Sequence, residues 1–207
     1  MKCVKLTAFA AVLALAGGCV TLKPEMLDPS DDALQTRILP LYVGLAGPNV
    51  VRSEEAKYLP TQSEMLTVAE RELHQNAFQR DGEMWGYIDL TATYDERSMT
   101  AGGAALFAVN MITAAVPAIF GSPLAIHRRT LQLEVGIYDS RKTLLRKYVY
   151  TEAVKYAMFL YGRWDAAYRK AGINAMKEIL SRLKEDLGSD AREINRKLEG
   201  AGPVSLP

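Results

Sequence analysis

The chain has 207 residues, 49% of them hydrophobic and 24% charged, with a formal net charge of +1. This is long enough for one domain with a substantial core and too apolar for a disordered chain. Charge is divided along it: residues 19–126 hold 7 Lys/Arg and 14 Asp/Glu, residues 127–207 hold 16 and 10, and no long basic stripe is interleaved with aromatics, which argues against nucleic acid as a partner.

The N-terminus opens with Lys2 and Lys5, continues through an apolar run from Leu6 to Ala16, and closes on Gly17-Gly18-Cys19. A basic start, a short apolar stretch and small residues before a cut form the anatomy of a secretory signal peptide. The stretch is too short to span a bilayer, which takes roughly 20 apolar residues. The run Leu15-Ala16-Gly17-Gly18-Cys19 resembles the lipobox of bacterial lipoproteins. That resemblance implies removal of residues 1–18 and a diacylated, palmitate-bearing Cys19 as the new N-terminus. Val20 after it, in place of Asp, implies the outer membrane, on either its periplasmic or its surface face. The alternative is an ordinary signal peptide with a chance cysteine. Cys3 is the only other cysteine, so the mature chain is expected to carry neither a free thiol nor a disulfide.

Residues 19–37, with Pro24, Pro29, Ser30, Asp31 and Asp32, read as a lipidated N-terminus and tether. A single domain is expected over 38–199, followed by a tail at 200–207. Residues 38–45 read as a first strand, weakened by Pro40. Thr61-Gln62-Ser63-Glu64 fits a capping box. Met65, Leu66, Ala69, Leu73 and Ala77 then predict a helix over 62–78, with Glu70, Arg71 and Gln75 on its polar face. Ile88, Leu90, Ala92 and Tyr94 alternate with polar residues in a strand with one wet face. Thr130 to Tyr138 repeats the pattern, Asp139 to Lys142 is a hairpin turn, and Thr143 to Val154 returns as a long strand. Asp165 can cap a last helix whose buried stripe is Ala166, Ile173, Met176, Ile179, Leu180, Leu183 and Leu187, ended by Gly188 as a C-terminal cap. Ser189 can cap a short coda at 190–199 carrying Ile194 and Leu198. The order predicts an α+β fold: a mixed or antiparallel sheet of about four strands, two main helices on one face, and an apolar helical insert.

The insert spans residues 101–126, which contain no charge. Its apolar side chains are Leu106, Phe107, Val109, Met111, Ile112, Val116, Ile119 and Phe120. On a helix Gly103, Asn110 and Pro117 share one face with Thr113, and every other direction is apolar. A helix apolar nearly all round is buried in protein or in lipid. Three readings stand: a transmembrane helix, a buried core element, and an apolar projection that meets the membrane or a neighbouring subunit. Arg128 and Arg129 behind the insert, and Phe159, Tyr161 and Trp164 further on, are candidate interfacial residues. Core packing at a strand-to-helix corner is the alternative for the three aromatics.

The order of a lipobox, a strand and helix, a strand, a Gly- or Ala-rich apolar insert, two strands and a terminal helix resembles the plasmid surface-exclusion lipoprotein family (TraT-like). More distantly it resembles the curli-secretion channel lipoproteins. The resemblance covers most of residues 19–187 and implies an oligomeric, membrane-embedded assembly to which the insert contributes.

Catalytic signals are sparse. His74 with Glu70 at i−4 gives two ligands, too few for a metal site. His127 beside Arg128 reads as a surface residue. Asp89 and Glu134 fall on wet strand faces as an eventual carboxylate pair. No nucleophile elbow, phosphate loop or zinc spacing occurs. The expectation is a non-enzymatic envelope protein without a cofactor, with a structural or assembly role. Its partners are membrane lipid through acylated Cys19 and a second copy or another envelope protein. A periplasmic carrier or chaperone for an apolar ligand such as lipid or lipopolysaccharide is the alternative.

Overall fold

The computed structural model describes residues 24–50, 59–95, 97–161 and 164–205, with the side chains of 47–50 and Trp164 outside the description. The expected signal peptide and Cys19 lie outside these residues. The fold is α+β. Five strands, β1 (Leu41–Val50), β2 (Gly86–Tyr94), β3 (Ser98–Met99), β4 (Ala125–Asp139) and β5 (Leu144–Met158), form one mixed sheet. Helix α1 (Gln62–Glu72) lies between β1 and β2 in sequence, and the long helix α4 (Trp164–Ala201) follows β5. The insert supplies two shorter helices, α2 (Ala101–Ile112) and α3 (Val116–Ile119).

Pairing fixes the layout. β1 runs parallel to β2, and β2 runs antiparallel to β4 from Gly86 opposite Asp139 to Tyr94 opposite Leu131. β3 continues the line of β2 along the same edge of β4. β5 covers the other edge of β4 from Tyr138 to Ala125. β1 starts after Pro40, which has no N–H to give a ladder; the expected start at 38 survives as a single bridge between Ile38 and Phe78.

Alternation builds the core. Ile88, Leu90, Ala92 and Tyr94 of β2 and Leu131, Leu133, Val135 and Ile137 of β4 are buried on one face, which α1 and α4 cover. Thr61 caps α1 as a full capping box with Glu64. Past Glu72 the helix widens into a π turn, Leu73–Ala77, closed by Phe78 N–H donating to Leu73 O. The opposite face of the sheet is open: Tyr42 is exposed and stacks on Tyr87 at 5.7 Å.

Helix α4 does not stop at Gly188. It runs unbroken for 38 residues, about 57 Å at ~1.5 Å per residue, as long as the 15-residue strands beneath it. Its buried stripe continues from Leu183 and Leu187 through Ala191 and Ile194 to Leu198, so apolar packing outweighs the roughly 1 kcal/mol preference against an interior glycine. Ser189, expected as a cap, turns its hydroxyl back onto Asp186 O within the helix. The chain then returns through Val204 N–H to Met84 O.

From Pro24 onward the expected tether is strapped down. Lys177 donates to Asp28 O, Lys184 to Ser30 Oγ and Asp32 O, and Asn195 to Arg37 O. At the centre of the strap, Lys184 Nζ meets Glu72 Oε1 at 2.6 Å, and both residues are about 95% buried. Ser30 donates to Glu72 through both its N–H and its hydroxyl, and Asn76 donates a third bond. Burial alone would raise the Glu72 pKa; the Lys184 ammonium, Ser30 and Asn76 outweigh it and hold the carboxyl down at about 2.

That pair makes stability acid-sensitive in a defined window. A carboxyl lowered from 4.5 to about 2 stabilises the fold fully above pH ~4.5, and the contribution is lost as pH falls toward ~2. Glu72→Gln should therefore lose about 3 kcal/mol less than the wild type between pH 5 and pH 2 in denaturant titrations. Lys184→Met, which strands a buried carboxylate, should cost about 3–5 kcal/mol at neutral pH. Parallel pH profiles for wild type and Glu72→Gln would rule the assignment out.

Candidate functional site

The insert grows from one end of the sheet, where β3 ends and β4 begins. Thr100 caps α2, its hydroxyl accepting from Gly103 N–H at 2.9 Å, while Thr100 N–H and the same hydroxyl both bond to Ile126 O. Gly103 lies directly on the β4 backbone: a Cβ there would stand 2.1 Å from Ile126 O. One heptad on, Asn110 Nδ2 donates to Leu106 O and Pro123 O. Gly103 and Asn110 are the two buried residues of α2, and they are the small-and-polar face legible in the sequence. That face docks on the domain.

The other faces of the helix do not. Phe107, Val109, Met111, Ile112, Val116, Ile119 and Phe120 are all exposed, with Ile112 at 85%, Phe120 at 73% and Met111 at 68%; Leu106 is half-buried. None belongs to the core cluster, which is a correction to the core-element reading. Among the described residues no helix is long and apolar enough to cross a membrane, which removes the transmembrane reading of the insert. Helix α2 ends at Ile112, before Pro117, whose ring would clash with the preceding turn of a continuous helix. Ala114 and Ala115 take left-handed φ values of 50° and 62°, and Ala115 N–H bonds back to Asn110 O. Two alanines in that region carry strain of about 1 kcal/mol or more each. Pro117 instead sits in the first turn of α3, where its missing N–H is not needed.

Further apolar surface adjoins the insert. Leu124 N–H bonds to Met158 O, so the segment after β5 emerges beside it, with Phe159, Leu160 and Tyr161 exposed. The Trp164 side chain lies outside the described residues.

Two expectations at the root are corrected. Arg129 is 2% exposed and His127 6% exposed; neither is on the surface. Consecutive strand residues face opposite ways, so when Leu131 points into the core, Arg129 and His127 do too, and Arg128 points out. Arg129 lies over the Tyr168 ring at 5.8 Å. His127 stacks on Tyr156 at 5.6 Å, Tyr156 stacks on Tyr168 at 4.2 Å, and Arg97 Nε donates to His127 Nδ1. This cationic and aromatic stack plugs the core end beneath the insert.

The remaining candidates do not converge. Asp89 pairs in register with Gly136, one row from Glu134, and Glu134 is bound to Lys147 at 2.7 Å. His74 packs edge-on against Phe78. Among the described residues no three of His, Cys, Asp and Glu come together as a metal site. Two open surface grooves are polar, one lined by Asp28, Arg71, His74 and Gln79, the other by Glu152, Lys155, Asn174 and Glu178. No family model matches the chain, and no curated protein matches it.

The docking face yields a test on neighbouring glycines. Gly103→Ala puts a methyl group into the β4 backbone and should lever α2 away, costing about 1–3 kcal/mol of local stability. Gly102→Ala meets nothing within 4 Å and should instead gain up to about 1 kcal/mol of helix propensity. Limited proteolysis within residues 100–124 should speed up for the first and slow for the second. The same sign for both would refute the docking geometry.

Proposed function

We propose that this is a lipid-anchored bacterial envelope protein with a structural or assembly role, held to the outer membrane by acylated Cys19. Its apolar insert contacts the membrane and neighbouring subunits. The observation that carries the reading is the projecting helix pair, with seven large apolar side chains exposed at one end of the domain. Each is worth about 1.5–3 kcal/mol when removed from water, so the surface calls for a cover. With no helix among the described residues long and apolar enough to cross, the fitting mode is shallow entry into the interface, about 5–10 Å deep, or burial between copies. The order of elements, resembling the TraT-like surface-exclusion lipoproteins, favours the same role.

Covalent reach supports one membrane for both anchors. Helix α4 starts at the insert end, and Asp28 is bonded to Lys177, thirteen residues or about 20 Å along the helix. Five extended residues from Cys19 to Lys23 reach about 17 Å. That reach, with the acyl chains beyond it, is comparable to the distance from Asp28 to the level of the insert.

The reading predicts that intact mass of the wild-type protein reports a chain starting at diacylated Cys19, lost in Cys19→Ser; an unmodified wild-type chain would refute the anchor. It also predicts that Ile112→Asp keeps the circular dichroism and protease resistance of the domain but loses oligomer size in native mass spectrometry and partition into detergent. Global unfolding of that variant would make the insert a core element and overturn the projecting role.

A further inference from the structure

Resting on that reading, the geometry points to a lipid-headgroup site at the root of the insert: we infer that Arg128 and Lys155 together clamp the phosphate of anionic lipids. Arg128 of β4 and Lys155 of β5 are register partners across an antiparallel ladder. Directly opposite side chains in such a ladder have Cβ atoms about 4.5–5.5 Å apart, and like charges placed so are destabilising. Both residues are exposed and alternate in their strands with buried residues of the opposite face, His127 and Arg129, Val154 and Tyr156; Lys155, on the edge strand β5, also borders the groove that Glu152 and Glu178 line.

Among the described residues the side chains of Arg128 and Lys155 make no ion pair or hydrogen bond, the Ser98 hydroxyl reaching only the Arg128 carbonyl, whereas Lys147, further along β5 on the same face, is paired with Glu134. Asp95 is committed to the N–H of Thr130. The third strand adds Ser98, in register with Arg128. The Ser98 hydroxyl donates to Arg128 O, so a guanidinium and an ammonium are the donors that this row offers across β4 and β5. A phosphate diester fits that set, because guanidinium and ammonium groups both bind phosphate oxygens strongly.

Position selects lipid as the source of the phosphate. The next row on this face toward the insert is Ile126 opposite Ala157, about 7 Å away at ~3.3 Å per residue. Beyond it come the insert on one side and exposed Phe159, Leu160 and Tyr161 on the other. Cations one step behind an apolar segment sit at headgroup depth when that segment enters the acyl boundary. The charge of the row is complementary to an anionic leaflet.

The test uses the full-length chain carrying Cys19→Ser, so that the N-terminal segment is the same in every sample. Partition is measured onto vesicles of phosphatidylcholine alone and of phosphatidylcholine containing phosphatidylglycerol. The double variant Arg128→Ser/Lys155→Ser should bind the anionic vesicles roughly thirtyfold more weakly than the parent at low salt, from two cations near the surface. It should bind neutral vesicles equally, and the gap should close at high salt. Lys155→Glu, which creates an Arg–Glu cross-strand pair, should raise the melting temperature while losing the anionic preference, separating the site from any folding defect. Inorganic phosphate at matched ionic strength should not compete; full competition by it would mean a soluble-anion site and overturn the lipid assignment. Unchanged anionic binding in the double variant, or an equal drop on both vesicles, would overturn it as well. Ile112→Asp should lower partition onto both vesicle types. If it does not while the double variant behaves as stated, the membrane role of the insert fails and the headgroup site stands; if the parent binds neither vesicle, both fail.

Discussion

Every ladder in the sheet except β1–β2 runs through β4. It pairs with β2 and β3 along one edge and with β5 along the other, so its alternation sets the phase of the molecule. Once Leu131, Leu133, Val135 and Ile137 are buried beneath the helices, every odd residue of the strand must follow. That includes His127 and Arg129, whose charge or polarity would otherwise favour water. Burying Arg129 in an apolar layer would be prohibitive alone. The Tyr168 ring beneath its guanidinium and the aromatic stack of His127, Tyr156 and Tyr168 make the position tolerable. The same phase turns Arg128 outward beside Lys155. The strand therefore sorts a run of three basic residues into an internal plug and an external charge.

A second constraint acts on the N-terminal strap. A buried lysine and a buried glutamate, unsupported, would each cost several kcal/mol. Here Lys184 and Glu72 share Ser30, Asn76 donates to Glu72 and Lys184 donates to Asp32 O, so most of their hydrogen-bonding capacity is used. Their geometry also requires Ser30 and Asp32 to lie between α1 and α4. The pair thus fixes the course of the chain where it enters the domain.

The sequence reveals elements wherever a single period dominates. The capping box at Thr61, the alternation from Ile88 to Tyr94 and the stripe from Ile173 to Leu187 carry over into the structure within a few residues. The docking face of the insert is equally visible, because Gly103 and Asn110 are the residues a close and polar contact needs. Misreadings occur where a local rule competes with a longer pattern. Gly188 has the identity of a helix cap, yet Leu187, Ala191, Ile194 and Leu198 keep the helical phase across it, and the phase wins. Chemical type alone puts His127 and Arg129 at the surface, whereas the alternation of Leu131 to Ile137, extended backward, places both inside. Glu72 and Lys184 are hidden for the same reason. Glu72 follows Met65, Val68 and Ala69 on the buried side, and Lys184 lies between Leu180 and Leu187 in phase with the stripe, so periodicity marks both as interior despite their charge.

The insert is the one element whose stability does not close within the chain. The buried residues of helix α2 are Gly103 and Asn110, a face with almost no apolar area, while Phe107, Val109, Met111 and Ile112 are exposed. The turn that follows is held by two alanines in left-handed conformations, where glycines would be less strained. Isolated helices of this length are marginal in water. A 12-residue helix with a strained exit, a polar seam and an apolar outer surface gains most from burial on the sides its own domain leaves open. Folding it back is not available, because Thr100 and Gly103 pin its start to the Ile126 backbone at the end of the sheet and Asn110 pins its last turn to Pro123. The sequence therefore specifies a rigid root and an apolar tip that its own domain leaves uncovered, and that tip is the surface the proposed role would bury.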